Sequence, residues 1–165
     1  TVLEAVTADA NCFSFVETIP GGFVPRFGGT NEDASLAVGV RGLLDSGLSY
    51  DVSAYRGSNE TEFFINNTVN ASLGPNTPRN FIPGGQKQTE TVYNGDFSYT
   101  IDAGLASDLT FSFGGEYREE EFDLYAGDPA SYALGPLADQ GFSSSSNGFG
   151  GFPNSTSSSQ DSWAA

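Results

Sequence analysis

The chain has 165 residues, with 6 Lys+Arg against 21 Asp+Glu, no His, no Met and one Cys, for a formal charge of −15. So acidic a chain repels phosphate backbones, which sets nucleic acid aside as a partner. Without histidine, the commonest general base, the usual zinc ligand and the Ser-His and Cys-His pairings are all closed to it.

Cys12 has no second cysteine to bridge and reads as a buried packing thiol. No run of about 18 apolar residues exists to make a membrane-spanning helix. TVLEAVTADA at the start lacks the basic and apolar regions of a signal peptide. A transmembrane strand needs only about 9–11 alternating residues and escapes such windows. The 21 Gly and 8 Pro are compatible with disorder, but the 14 Phe and 7 Tyr supply buried area for the middle of the chain. The Ser/Gly/Asn-rich stretch 141–161 has no such protection.

Residues 1–35 read as an irregular N-terminal segment. From Leu36, LAVGVRGLL puts Leu36, Val38 and Val40 on one side and Ala37, Gly39 and Arg41 on the other, the period of a strand. Asp45-Ser46-Gly47 is a short turn. LSYDVSAY returns with Leu48, Tyr50, Val52 and Ala54 opposing Ser49, Asp51, Ser53 and Tyr55. Glu62 to Val69 continues this strand or its neighbour. Asn70 to Gly85, with three prolines and three glycines, reads as a long loop.

The clearest alternation follows. Thr89, Thr91, Tyr93, Gly95, Phe97, Tyr99 and Ile101 face one way and Gln88 to Asp102 the other, with Val92 alone breaking the polar side. After the short connection 102–108, Leu109, Phe111, Phe113, Gly115 and Tyr117 alternate with Thr110, Ser112, Gly114, Glu116 and Arg118. Glu119-Glu120-Glu121 marks where this strand is expected to leave the sheet. Residues 36–125 are thus an antiparallel β-region and 126–165 a Gly/Ser-rich loop region. The fold class is all-β: an antiparallel meander of long strands with short turns and long loops, as in part of an outer-membrane β-barrel. A soluble β-sandwich or a fibre subunit shows the same alternation, so periodicity leaves these open.

Particular runs go further than periodicity. NTVNASLG, the strand end FGGEYREEEF with the following GDPASY, and the loop SNGFGGF occur in order, within a region covering most of Leu36 to Phe152. On these runs the chain resembles the β-barrel region of TonB-dependent outer-membrane receptors. The resemblance implies a large barrel in the bacterial outer membrane and a plugged lumen. It also implies uptake of a scarce ligand, such as a metal chelate, cobalamin or a saccharide, with the TonB complex, that small ligand and membrane lipid as partners. Neither a plug nor a TonB-contacting segment is recognisable, so the expectation is a fragment of a few strands. The alternative is an extracellular filament or surface-layer subunit self-associating through its β-edges. N-x-S/T sequons at Asn59, Asn66, Asn70 and Asn154 fit a glycosylated exterior, and also fit chance in an Asn/Ser/Thr-rich chain.

Candidate sites are few. Ligand recognition in a barrel belongs in the long loops, which nominates Arg79, Tyr132, Phe142, Phe149 and Phe152; packing of the loops against themselves is the competing role. Glu116 and Arg118 share a face and are expected to line the lumen as a pair. Two carboxylates among Glu116, Glu119, Glu120 and Glu121 could be imagined as a hydrolase pair, but neighbouring strand glutamates alternate faces and stay solvated, so no catalysis is expected. Asp123, Asp128 and Asp139 lack EF-hand spacing; no cofactor and no metal site are expected.

Overall fold

The structure, a computed structural model, describes residues 1, 4–5, 8, 12–16, 18–145 and 150–165. It is one five-stranded antiparallel sheet in meander order. The strands are β1 (Arg26–Leu43), β2 (Leu48–Asn66), β3 (Asn80–Ile101), β4 (Leu109–Ala126) and β5 (Thr156–Ala164). The first four run to 18, 19, 22 and 18 residues, three times or more the usual length of about 5–6. The all-β class with short turns is as the alternation predicts.

The turn between β1 and β2 follows from its sequence. Leu44 N–H donates to Leu48 O at 2.9 Å and Gly47 N–H to Leu44 O at 2.9 Å, with Gly47 at φ +87. A three-residue hairpin loop needs a residue in the left-handed region there, and glycine takes it without a Cβ penalty.

Four boundaries differ from the sequence reading. β1 begins at Arg26, inside the segment expected to be irregular: residues 26–35 hold only Phe27 and Ala34 as apolar residues and carry no period, yet they pair with β2, and Phe27 stacks on Phe63. Thr61 Oγ1 donates to Asn31 Oδ1 at 2.6 Å, and a methyl on Gly28 would run into the Phe64 ring. β3 begins at Asn80, before Pro83 and Gly84 (φ +116), which punctuate the sequence without ending the strand. β4 continues through Glu119-Glu120-Glu121 to Ala126, because charged residues are stable in a strand whose two faces are both wet. β5 lies in the region read as loop. Its TSSSQDSWA holds one large apolar residue, and it is fixed through groups such as the Gln160 amide, which donates to Glu120 Oε2 at 2.9 Å. Cys12, expected buried, is exposed; it precedes β1 in an irregular segment.

Contacts divide the chain into two compact units: residues 1–31, 61–86 and 124–156, and residues 32–60, 87–123 and 157–165. The first holds the long connections and, among the described residues, all the buried hydrophobic side chains: Ile65, Val69 and Phe81. Its polar anchor is Asn70, wholly buried. The Asn70 side chain donates to Ala130 O at 2.8 Å and Ala133 O at 2.9 Å, and its oxygen accepts from Ser72 N and Oγ. Asp128 accepts from Ile82 N–H at 3.0 Å and returns its own N–H to Ile82 O at 2.7 Å. A buried amide paired as fully as that of Asn70 rigidifies its loop rather than straining it.

The second unit is a bare sheet. Among the described residues it buries no hydrophobic side chain, and its two faces differ sharply in chemistry.

Candidate functional site

On one face of the bare sheet Leu36, Val38, Val40, Val52, Tyr93, Phe97, Phe111, Phe113, Tyr117 and Trp163 fall together. Phe113 is 61% exposed, Trp163 77%, and Tyr93 and Phe111 54% each. At about 150–250 Å² per ring, these four side chains alone present on the order of 500 Å² of apolar surface. Soluble monomers rarely expose a contiguous apolar patch larger than a few hundred Å².

The patch is a band of fixed height. It occupies nine residues of β3, Tyr93 to Ile101, and nine of β4, Leu109 to Tyr117, which is the roughly 9–11 residues that carry a strand across a membrane. One border is aromatic: Tyr93 stacks on Tyr117 at 6.3 Å between centroids, and Tyr117 meets Trp163 at 4.5 Å. At the other border Tyr99 lies beside the Gly47 hairpin. Past the Tyr93–Tyr117–Trp163 row the same face becomes charged and hydroxylic. Arg56 donates to Thr91 Oγ1 at 3.2 Å, and Lys87 pairs with Glu60 at 3.1 Å. Small residues, Ala54, Gly95 and Gly115, floor an open trough of about 1070 Å³ within the band.

The opposite face is wet. Arg118 reaches Glu116 on its own strand at 3.2 Å and Glu90 on β3 at 3.3 Å. Asn59 donates to Asp33 at 2.7 Å, and Glu120 accepts from Gln160. These groups form rows across adjacent strands, and the Arg118 pairs, 30–40% exposed, are worth only about 0.2–1 kcal/mol each.

The loop candidates do not converge; each is tied to a different neighbour. Arg79 donates to Asn67 Oδ1 at 2.7 Å and sits 5.7 Å from the Phe23 ring centroid. Phe142 packs edge-on to Phe13 at 6.3 Å and Phe152 to Phe63 at 6.4 Å. Tyr132 is half-buried and closes the 3-10 turn Pro129–Ser131. Phe149 lies outside the described residues. Of the sequons, Asn59 and Asn154 are exposed and Asn66 half-buried, whereas Asn70 is sealed, with both amide hydrogens donated. The folded chain offers no room for a glycan there.

Residue-by-residue reading missed one feature of the wet face, the aromatic ring of Tyr55. Val92, an apolar residue on that side, is level with it in register, since Arg56 pairs with Thr91 and Glu60 with Lys87. The signal available in sequence was an aromatic residue on a polar strand face two positions before a glycine. No family model, no curated protein and no solved structure matches this chain.

Proposed function

We propose that this chain is part of the wall of an outer-membrane β-barrel of the TonB-dependent receptor kind, serving uptake of a scarce small ligand without a catalytic step. The observation that carries the reading is the nine-residue exposed apolar band, bordered by Tyr93, Tyr117 and Trp163 and giving way to charge beyond them. A lipid-facing strand requires that band, and tyrosine and tryptophan suit its border because each has an apolar body and a polar tip. On this reading Glu90, Glu116 and Arg118 line the aqueous side, additional strands extend the sheet at β1 and β5, and energy comes from the TonB complex acting on a plug.

A second reading rests on the same two sheet edges. Unpaired strands recruit other chains, and a secreted subunit could polymerise through β1 and β5. It leaves the exposed aromatic band without a purpose. Preparation of the chain with and without detergent separates the two: detergent-dependent monomers carrying bound lipid are expected. Regular filaments from a detergent-free preparation would contradict the receptor reading.

A further inference from the structure

The wet face carries a recess built differently from the rest of the wall. Tyr55 does not stand away from the sheet; its ring lies back along β2 over Gly57, so close that a methyl on Gly57 would overlap the tyrosine hydroxyl. Gly57 is buried while Tyr55 stays 37% exposed. The ring is therefore a platform, with one side on the sheet and the other open. Around it Asp33, Asn59, Gln88 and Glu90 complete a recess of about 340 Å³, at the small end of the roughly 300–1,000 Å³ range of ligand sites.

The polar groups beside the platform select a chemistry. Asn59 and Gln88 are planar amides that both donate and accept. Asp33 is already bonded by Asn59, and Glu90 by Arg118. No Lys or Arg lines the recess, and Arg118, which reaches Glu90 beside it, is shared between two carboxylates, so an anionic ligand meets carboxylates there rather than a free positive charge. A polyhydroxylated, uncharged ring fits both halves: its C–H face lies on the aromatic ring and its hydroxyls exchange hydrogen bonds with amides and carboxylates.

From this arrangement we infer that Tyr55 and Gly57, with Asp33, Asn59, Gln88 and Glu90, form a subsite for a neutral saccharide ring on the wet face of the wall. The inference names the substrate class for the uptake reading above and rests on that face being the ligand's path. It moves recognition from the loops, where Phe142 packs on Phe13 and Phe152 on Phe63, to the strand wall.

The test is titration calorimetry on the full chain in a polyoxyethylene detergent, which has no sugar headgroup. Maltohexaose, cellohexaose and chitohexaose are the probes, with spermidine as the cationic control. At least one hexasaccharide should bind. Tyr55→Ala should weaken it tenfold or more, Tyr55→Phe less than threefold, and Gly57→Ala tenfold or more, because it lifts the ring while keeping the tyrosine. Far-UV circular dichroism and the emission of Trp163 confirm that each variant stays folded. No binding of any hexasaccharide at millimolar concentration, equal binding by wild type and Tyr55→Ala, or binding of spermidine alone would overturn the inference. A chain that inserts in lipid but binds no sugar fails this inference alone. One that binds sugar through Tyr55 yet is soluble without detergent fails only the membrane reading.

Discussion

The ring centroids of Tyr117 on β4 and Trp163 on β5 lie 4.5 Å apart with planes tilted by 42°. Trp163 is the only tryptophan in the chain, so this contact has its own optical signal. Removing the tyrosine ring with Tyr117→Ala should cost about 0.5–1.5 kcal/mol beyond lost area. It should also shift Trp163 emission in detergent to the red as water reaches the indole. Unchanged emission would mean that the two rings do not form one border.

Asn70 makes a second testable joint. Asn70→Asp keeps the oxygen that accepts from Ser72 but removes both donors, leaving Ala130 O without its amide donor and Ala133 O with only the long contact from Ser72 Oγ at 3.5 Å. A part-buried acceptor that loses its donor costs about 1–3 kcal/mol, so a loss of roughly 2–4 kcal/mol in urea unfolding is expected. The same burial predicts that, in a glycosylating host, mass spectrometry of the folded chain finds no glycan at Asn70.

Gly127 is required for a steric reason. A Cβ there would overlap the backbone of Ile82 and Pro83, and backbone in a packed strand cannot swing aside as a side chain can. Gly127→Ala should destabilise by about 1–3 kcal/mol, the ordinary cost of overpacking. Gly104→Ala is a control with open space around it, although Gly104 has φ +69, so its cost should be backbone strain of roughly 1 kcal/mol. An equal or smaller loss at Gly127 would contradict the packing described.

Arg118 should matter little for stability. Its partners Glu116 and Glu90 are 36% and 30% exposed and the arginine 40%, so water screens both pairs. Arg118→Ala is expected to cost about 0.5 kcal/mol at low salt and nearly nothing in 1 M NaCl, where the screening length is about 3 Å. A loss above 2 kcal/mol would mean that the wet face is drier than its exposure indicates.

The central strands were legible in the sequence because an apolar face and a polar face impose a period of two, and Leu36 to Leu44, Tyr93 to Ile101 and Leu109 to Tyr117 display it plainly. The parts that were not legible lack that contrast. β5 and the first ten residues of β1 hold too few apolar residues to show a period, and the side-chain contacts that seat them, such as Gln160 with Glu120 and Asn31 with Thr61, join residues far apart in sequence. Glu119 to Glu121 look like a strand end for the same reason. Asn70 reads as a sequon because the motif is local, while its burial depends on Ala130 and Ala133, some sixty residues on. The alternation puts Tyr55 on the polar side of β2 and assigns it no role; that it rests on Gly57 is a rotamer fact that spacing does not reveal.

The membrane wall is the account's central claim, and Trp163 tests it directly. The chain is reconstituted into phosphatidylcholine vesicles carrying bromine at known depths along the acyl chain, and quenching of the single tryptophan is measured. A border position predicts strong quenching by bromine near the headgroup and weak quenching by bromine near the chain end. No quenching at any depth, with the chain remaining in the aqueous fraction, would contradict it.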